Sequence, residues 1–306
     1  MRVAVIDCGT NTVRLLIADS GPDGGLKEIA RVLRFARLGE GVDATGQFSP
    51  EALQHTFAVT EEYAGIIADS HVDKVRFVAT SAARDVSNRD EFFAGVEARL
   101  GVAPDVISGD EEAQLSFVGA LSGGSVDPDA QVLVVDIGGG STELVHGMGS
   151  GRIRAEVSLD MGSVRIRERF LHHDPPTKSE IRAAREFVDS LLDASPVDLG
   201  GISTFIGVAG TVTSLSGMNL GLAMYDRTKV HNSTLSVAEV GALSARLFTL
   251  TVAQTIDEYP SLQPQRAEVI CAGALICAEL SGRVALPMTV RETDILDGAA
   301  LQLMTL

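Results

Sequence analysis

Apolar and polar positions along the chain follow two periods, and their order predicts an α/β protein. Short apolar runs at 2–7 and 13–18 flank a turn at 8–12 and predict two buried strands. Ser49 followed by Pro50 predicts a helix start, because serine caps N–H groups and proline suits the first helical position. The other elements expected in this half are strands at 26–35, 75–80 and 104–108, a helix from a capping box at 88–91 to Gly101, and a helix at 111–121.

A stretch rich in glycine, serine and aspartate at 122–130 is the best candidate for a linker. It predicts two domains, 1–124 and 125–306, with a C-terminal helix at about 292–306 that can pack back onto the first domain. After the linker the α/β alternation starts again. The expected elements there are strands at 131–137, 142–146, 153–159 and 205–208 and helical stretches near 178–194, 237–256 and 264–282.

The second half repeats the opening of the first. Residues 3–12 align with 132–141, and each copy has an apolar strand, Asp-x-Gly, a small-residue turn that ends in a hydroxyl residue, and a second strand. Asp7 and Asp136 are equivalent in this alignment. Two ordinary hairpins would be the simpler interpretation, but neither turn resembles the two-residue Asn-Gly type that hairpins prefer. The repeat instead predicts two similar domains whose hairpins can face each other across a cleft.

Both turns combine groups that bind phosphate. Glycines let backbone N–H groups approach phosphate oxygens without a Cβ in the way, and hydroxyl side chains add donors. Asp7 and Asp136 are anions, so we interpret them as ligands, direct or through water, of a Mg²⁺ that also contacts the phosphate. The candidate phosphate-binding residues are Gly9, Thr10, Asn11 and Thr12 in the first turn and Gly138, Gly139, Gly140 and Ser141 in the second.

Two further motifs allow both a structural and a chemical interpretation. Gly210 and Thr211 precede a predicted helix and form either an N-cap turn or another phosphate or nucleotide contact. Ser108 and Glu111 predict a capping box. That leaves Glu112 either as a solvated acid in the first turn or as a carboxylate that takes a proton from water.

Arginines near these motifs are candidate phosphate contacts. Arg84 follows a predicted buried strand and is either a surface charge or a guanidinium clamp for phosphoryl oxygens. Arg165, Arg167 and Arg169 follow Gly162, where a helix is expected to begin. On a helix they spread around the axis, so only Arg165 is expected to point at the cleft beside the glycine turns. The alternative is that all three are solvated surface charges.

Composition and charge argue against two classes of partner, nucleic acids and membranes. The 306 residues carry 41 acidic and 25 basic side chains, a net charge of −16, and no tryptophan, which argues against a nucleic-acid partner. No apolar run reaches the about 18–20 residues of a membrane span, and the N-terminus turns polar too early for a secretory signal. We therefore expect a cytoplasmic protein without a membrane partner.

Cysteine and histidine add little chemistry. Three cysteines predict no disulfide framework, and Cys271 and Cys277 are expected in the core. The His-His-Asp sequence at 172–174 looks like a fragment of a metal site, but the remaining histidines offer no supporting pattern. We interpret it as a loop.

Taken together, the motifs resemble the exopolyphosphatase/guanosine pentaphosphatase (Ppx/GppA) phosphatase family. The matching segments run in order along nearly the whole chain, at 7–12, 79–84, 107–113, 135–143, 161–165, 209–211, Tyr225-Asp226 with His231, and 291–298. The resemblance implies a duplicated ribonuclease-H-like fold, as in actin, heat-shock ATPases and sugar kinases, with a cleft between the two domains. The chain resembles the short two-domain form, which lacks the C-terminal helical domain of longer members.

The family also implies roles for individual residues. By resemblance Glu112 is the general base, Arg84 stabilises the transferred phosphoryl group, and Glu143 helps to hold the attacking water or Mg²⁺. We therefore expect Mg²⁺-dependent hydrolysis of the terminal phosphoanhydride of polyphosphate, with Mn²⁺ as a substitute. The expected metal ligands are Asp136 and Glu143, with Asp7 as a further candidate.

Three alternatives stay open at this point. Within the family, the substrate can be guanosine pentaphosphate (pppGpp), hydrolysed at its 5′ end. Outside it, a kinase shares the fold but needs a nucleotide and an acceptor, and an actin-type assembly protein needs a nucleotide and forms filaments. A homodimer is compatible with all of these readings.

Overall fold

The computed structural model describes residues 1–21, 24–84 and 86–305, and these form two compact units. The first unit is Met1–Ser122 together with the C-terminal helix that begins at Ile295, and the second runs from Gly123 to Asp294. The boundary expected from the sequence lies after residue 124.

Strands and helices alternate along both units. The strands are β1 Arg2–Cys8, β2 Thr12–Ser20, β3 Leu26–Phe35, β4 Lys74–Ala79, β5 Asp105–Val106, β6 Gln131–Ile137, β7 Thr142–Met148, β8 Ile153–Leu159, β9 Thr204–Val208, β10 Thr234–Leu235 and β11 Met288–Val290. The helices are α1 Val42–Thr45, α2 Pro50–Asp69, α3 Ser81–Arg84, α4 Arg89–Leu100, α5 Gly109–Ser122, α6 Ser163–Phe170, α7 Lys178–Asp193, α8 Ala209–Asn219, α9 Arg227–Val230, α10 Val237–Leu247, α11 Val252–Glu258, α12 Ile270–Val284 and α13 Ile295–Thr305.

The two units have the same sheet topology. The first sheet has the order β3-β2-β1-β4-β5, and β2 runs antiparallel to the others. The second has the order β10-β11-β9-β6-β7-β8, in which β6, β7, β8, β9 and β11 take the places of β1 to β5 and β10 is an added edge strand. This order, with only the second strand reversed, is the ribonuclease-H-like arrangement. The predicted α/β class and the internal duplication are confirmed.

Each face of the first sheet is covered by helices. Residues of β1 alternate between two clusters, because successive strand side chains point to opposite faces. Ala4 and Ile6 pack with residues of α2 and α4, whereas Val3 and Val5 pack with residues of α5 and α13. The strand is therefore apolar at nearly every position, as expected for a strand that is buried on both faces.

The strand register brings the functional motifs to one edge within each sheet. In the first unit Cys8 lies opposite Ala79, and Ala79 lies opposite Val106, so the segments after β1, β4 and β5 leave the sheet side by side. In the second unit Asp136 lies opposite Val208, so the segments after β6 and β9 do the same. Ligand sites in α/β proteins form at this carboxyl edge of the parallel strands.

Several predicted boundaries are wrong. The stretch 237–256 is two helices, because Thr251 and Gln254 form a capping box that starts α11 after a break. The last long helix of the second unit begins at Ile270, and the residues near 264 form a short 3₁₀ turn. The strand expected at 104–108 contains only the two residues of β5.

Of the two predicted helix caps at Ser49 and Asn88, the first is confirmed and the second is wrong. Ser49 accepts a hydrogen bond from the Ala52 N–H and starts α2 as predicted. Asn88 precedes α4 but does not cap it; its side chain accepts from the Phe48 N–H at 2.9 Å and donates to the Phe48 carbonyl at 3.0 Å. The amide thus bonds to a neighbouring backbone segment instead of the helix.

The residues assigned to the core are buried. Cys271 and Cys277 are free, buried thiols in α12, and burial raises the pKa of Cys271 to about 11 and that of Cys277 to about 12.

The His-His-Asp sequence at 172–174 lies in a loop, as predicted, and His173 contacts Glu180 there at 2.8 Å. None of the helices in the described part of the chain is long and apolar enough to cross a membrane.

Candidate functional site

The turn between β6 and β7 is closed by its own backbone. The Gly138 N–H donates to the Ser141 carbonyl at 3.1 Å, and the turn residue Ser141 is buried. Asp136 at the end of β6 is also buried. The turn therefore presents a fixed backbone next to a carboxylate.

The start of α6 packs against this turn and determines which way its peptides face. The N–H groups of Ser163 and Val164 donate to the carbonyls of Gly138 and Gly139, both at 2.9 Å. The Arg165 Nε–H donates to the Gly140 carbonyl at 2.8 Å. These bonds also explain why α6 begins without a side-chain cap.

Because of these hydrogen bonds with α6, the turn at 138–141 has a row of N–H groups that point away from α6. In a planar trans peptide the carbonyl of one residue points opposite to the N–H of the next. With the carbonyls of residues 138, 139 and 140 turned towards α6, the N–H groups of Gly139, Gly140 and Ser141 face the other side. Successive N–H groups of this kind form a concave anion site. The predicted phosphate role of this turn therefore has a physical basis in its backbone.

Gly162 makes this packing sterically feasible. A Cβ on Gly162 would lie 2.2 Å from the Gly139 oxygen and 2.5 Å from the Gly140 nitrogen, both of them backbone atoms. Any side chain at this position must therefore displace either the turn or α6.

Replacing Gly162 by alanine is expected to destabilise the protein by about 1–3 kcal/mol, the usual range for overpacking, and to lower activity because the turn moves. The matched control is Gly241→Ala in α10, where an added Cβ meets no atom within 4 Å. That change is expected to stabilise by about 0.5–1 kcal/mol through the better helix propensity of alanine. Urea unfolding of both variants measures the difference, and equal stabilities would show that the turn tolerates displacement.

The first unit has an equivalent turn between β1 and β2. The Gly9 N–H donates to the Thr12 carbonyl at 2.9 Å, and the Gly39 N–H donates to the Thr10 carbonyl at 2.8 Å. The Asn11 carbonyl accepts from the two N–H groups at 36 and 37. The N–H groups of Asn11 and Thr12 consequently face the opposite side, as in the second unit.

The same close approach by a glycine recurs here. A Cβ on Gly39 would lie 2.3 Å from Thr10 Cγ2.

Cys8 at the end of β1 is not a nucleophile. Burial raises the pKa of its thiol, and the negative charge of Asp7 raises it further, so the thiol stays protonated.

The two turns differ in the residue opposite the equivalent aspartate. Asp7 pairs across β1 and β2 with Arg14, whose Nε–H and Nη2–H donate to Asp7 Oδ2 at 2.9 and 2.6 Å. Asp136 pairs across β6 and β7 with Glu143, which is 1% exposed. The first unit thus places an arginine where the second unit places a second carboxylate.

A divalent cation suits the carboxylates of the second unit. Residues directly opposite each other on neighbouring strands project from the same face, and two like charges there are destabilising unless a cation compensates them. Mg²⁺ is usually held by one or two carboxylates together with waters and substrate phosphates. Asp136 and Glu143 supply the number and kind of ligands that Mg²⁺ uses. In the described residues no group of three or more His, Cys, Asp or Glu is arranged around a metal site.

Glu112 and Arg84 form an ion pair in the first unit. Glu112 lies in the first turn of α5, and Arg84 ends α3. The Arg84 Nη2 contacts Glu112 Oε2, and both side chains are largely buried. This excludes the interpretation of Glu112 as a solvated acid and that of Arg84 as a surface charge.

Glu111 has a different environment, and half of its predicted capping box is wrong. The Ser108 hydroxyl accepts from the Glu111 N–H at 3.1 Å, but the Glu111 carboxylate binds Arg76 at 2.8 Å. Arg76 also binds Asp105 at 2.6 Å. The arginine competes more strongly than a backbone N–H because its hydrogen bond is charge-assisted.

The third predicted loop begins α8 at the carboxyl end of β9. Ala209 has a φ of 67°, and α8 has no side-chain cap at its start. A Cβ on Gly210 would lie 1.9 Å from Arg266 Nη1, so only glycine lets this guanidinium lie across the loop. Thr211 is buried. The loop therefore combines the positive end of a helix with an arginine.

The sequence analysis missed two arginines that contact these motifs, one in each unit. Arg14 follows Asp7 by seven residues, as Glu143 follows Asp136, so the repeat alignment contained the signal. Arg266 lies 56 residues after Gly210 in the chain (266 − 210), and no local pattern links the two.

Comparison with known proteins identifies the family. The sequence profile of the Ppx/GppA phosphatase family matches residues 16–283. The chain is 44% identical to Exopolyphosphatase 2 of Mycobacterium tuberculosis, over 99% of this chain and 98% of that protein.

Solved structures agree with this match. The crystal structure of an exopolyphosphatase-like protein is 41% identical, with a TM-score of 0.94 over 99% of this chain and 97% of that one. A Ppx/GppA family member from Aquifex aeolicus is 31% identical, with a TM-score of 0.83 over 100% and 98% of the two chains. The resemblance drawn from the motifs is confirmed, and the chain belongs to the Ppx/GppA phosphatase family.

Proposed function

We propose that this protein hydrolyses the terminal phosphoanhydride of inorganic polyphosphate and releases orthophosphate. The observation that carries the proposal is the turn at 138–141, in which the N–H groups of Gly139, Gly140 and Ser141 face away from α6, while the flanking strands carry Asp136 and Glu143 directly opposite each other. This arrangement suits a phosphate that arrives with a divalent cation. The name of the Mycobacterium tuberculosis relative, Exopolyphosphatase 2, supports the same substrate.

The phosphoryl group is stabilised mainly by charge. In phosphoryl transfer the negative charge spreads over three equatorial oxygens, so catalysis comes from positioned donors and cations. Arg84 and the N–H groups of Gly139, Gly140 and Ser141 supply such donors. Gly9 to Thr12 in the first unit and Gly210 with Thr211 bind further phosphates of the chain.

Glu112 accepts the proton of the attacking water. Its carboxylate is paired with Arg84 in this structure. Phosphate oxygens accept a bidentate hydrogen bond from arginine, so the substrate competes with Glu112 for the same guanidinium. Arrival of the substrate therefore releases the carboxylate at the moment when a base is needed.

Asp136 and Glu143 hold Mg²⁺, for which Mn²⁺ can substitute because both prefer oxygen ligands. A cation held there would neutralise phosphate charge and would help to orient the terminal phosphoryl group. Asp7 is neutralised by Arg14, so we propose that it shapes the first turn without binding metal.

The substrate is tested by phosphate release from short polyphosphate, long polyphosphate and pppGpp at equal concentration, without added nucleotide or acceptor. We expect release from polyphosphate at a higher kcat/KM than from pppGpp. Release from pppGpp alone would replace this proposal with guanosine pentaphosphate hydrolysis. No orthophosphate release, together with transfer of the terminal phosphoryl group to added ADP or another acceptor, would instead indicate a kinase.

Replacing Arg165 by alanine is expected to raise KM for polyphosphate several-fold. With a net charge of −16, the protein repels a polyanion at long range, so local cations must supply the affinity. Arg165 donates to the Gly140 carbonyl and lies beside the turn at 138–141. Its loss removes a charge and a support of the turn.

Arg169→Ala is the matched control. Arg169 lies on the same helix, but its guanidinium packs over the Phe187 ring at 5.6 Å, so KM should not change. The wild-type KM should also rise with salt, because screening weakens these contacts. Equal KM values for the two variants, or no effect of salt, would show that the glycine turns and the metal bind the substrate without Arg165.

A further inference from the structure

Ser158 lies beside Glu143 on the edge strand of the second sheet. The register places Ser158 of β8 directly opposite Glu143 of β7, and Glu143 directly opposite Asp136 of β6. Directly opposite residues share a face of the sheet, so the three side chains form one row across three strands. The Ser158 hydroxyl donates to Glu143 Oε1 at 2.7 Å.

This hydrogen bond helps to set the orientation of the Glu143 carboxylate. A glutamate side chain has three rotatable bonds, and ordering it costs conformational entropy each time it binds an ion. A donor on Oε1 holds the orientation of the carboxylate, and therefore of its second oxygen, before the ion arrives. Metal-ligating carboxylates are commonly hydrogen-bonded in this way, and removal of the partner typically weakens metal binding about 10–100-fold.

The surrounding backbone holds Ser158 in place. The Thr142 hydroxyl next to Glu143 donates to the Met161 carbonyl at 2.5 Å, and this bond ties the start of β7 to the segment that follows β8. Thr142 also lies opposite Leu159 in the ladder. The distance between Ser158 and Glu143 is therefore set by backbone pairing on both sides of the contact.

We propose that Ser158 is a positioning residue that pre-orients Glu143 for the divalent cation. The proposal rests on the metal role assigned above to Asp136 and Glu143. Ser158 acts on the metal through Glu143 and is not itself a ligand. Its loss weakens metal binding and leaves the chemistry intact once the metal is bound.

The direct test is a titration of the substrate-free protein with Mn²⁺, in which the electron paramagnetic resonance signal of the free ion measures how much Mn²⁺ is bound. Polyphosphate is left out because it chelates the ion. Ser158→Ala is expected to weaken Mn²⁺ binding about 10–100-fold. Ser158→Thr keeps the hydroxyl and should bind like the wild type, whereas Ser158→Cys keeps the size with a weak donor and should behave like the alanine variant. Ser190→Ala removes a hydroxyl that donates to the Phe187 carbonyl in α7 and should have no effect.

Activity gives a second readout. The Mg²⁺ concentration for half-maximal phosphate release should rise in Ser158→Ala by the same factor as the Mn²⁺ dissociation constant, while kcat at saturating Mg²⁺ stays within about two-fold of the wild type. A structural role alone would lower the melting temperature and leave both metal constants unchanged.

The outcomes separate this inference from the metal role. If Glu143→Gln loses Mn²⁺ and folded Ser158→Ala and Ser158→Cys bind it normally, the positioning role is refuted and the metal role stands. If the wild type binds no Mn²⁺, or Glu143→Gln binds it as well as the wild type, both are refuted. Should the alanine variant not fold, the cysteine and threonine variants decide the question.

Discussion

Replacing Glu112 by glutamine is expected to lower kcat by about 10²–10⁴ without raising KM for polyphosphate. Glutamine keeps the size and helical preference of the side chain but has no basic oxygen to take a proton from water. The guanidinium of Arg84 loses its carboxylate partner in the variant and remains available to the phosphoryl group. Steady-state phosphate release at saturating Mg²⁺ measures both constants.

Glu111→Gln is the control for this prediction. Glu111 is the adjacent acid in the same turn, but its carboxylate bonds to Arg76. Because this pair is partly exposed, its loss costs at most about 1 kcal/mol of stability and most activity remains. A Glu112 variant with full activity would assign the proton transfer to Glu111 or Glu143, and the Glu111 and Glu143 variants would then distinguish these two.

Removal of the divalent cation is expected to abolish activity, and the affinity for the cation is expected to depend on the carboxylates of the second unit. Asp136→Asn and Glu143→Gln are each expected to weaken Mn²⁺ binding by about 100-fold or more, since each removes one of the two proposed carboxylate ligands. The expected activity after exhaustive chelation is near zero, with recovery on addition of Mg²⁺ or Mn²⁺. Titration of Mn²⁺ into the substrate-free variants provides the binding constants.

Asp7→Asn is the matched variant in the other repeat. Asp7 occupies the equivalent strand position, but Arg14 already neutralises it at 2.6 Å. Metal binding should therefore stay within about two-fold of the wild type, although stability falls because Arg14 loses its partner. Loss of Mn²⁺ binding in Asp7→Asn would place the metal on the first repeat, and full activity after chelation would exclude a metal role altogether.

The duplication could be predicted because both copies carry the same local signal. An apolar strand, Asp-x-Gly and a hydroxyl residue recur after 129 positions (136 − 7), and the two turns have the same backbone hydrogen bond from the glycine. Tight turns of this kind depend on residues adjacent in sequence. The same holds for the helix cap at Ser49, where one serine and one proline suffice.

Other features depend on distant partners and have no local signal. Glu111 turns to Arg76 rather than to its own helix end, and Asn88 bonds to Phe48 across 40 residues. The approach of Gly162 to Gly139 needs the positions of β8 and α6. In each case a tertiary contact outweighs the local preference.

If water attacks the terminal phosphorus of polyphosphate, its oxygen must appear in the released orthophosphate. The reaction is run in ¹⁸O-labelled water with Mg²⁺ and polyphosphate, without nucleotide, and the released orthophosphate is examined by ³¹P nuclear magnetic resonance or mass spectrometry. We expect the wild type to release orthophosphate with one ¹⁸O atom per hydrolytic event, and Glu112→Gln to lose this product. Unlabelled orthophosphate would show that water does not attack the terminal phosphorus, and phosphorylation of added ADP or another acceptor without orthophosphate release would indicate phosphoryl transfer to that acceptor.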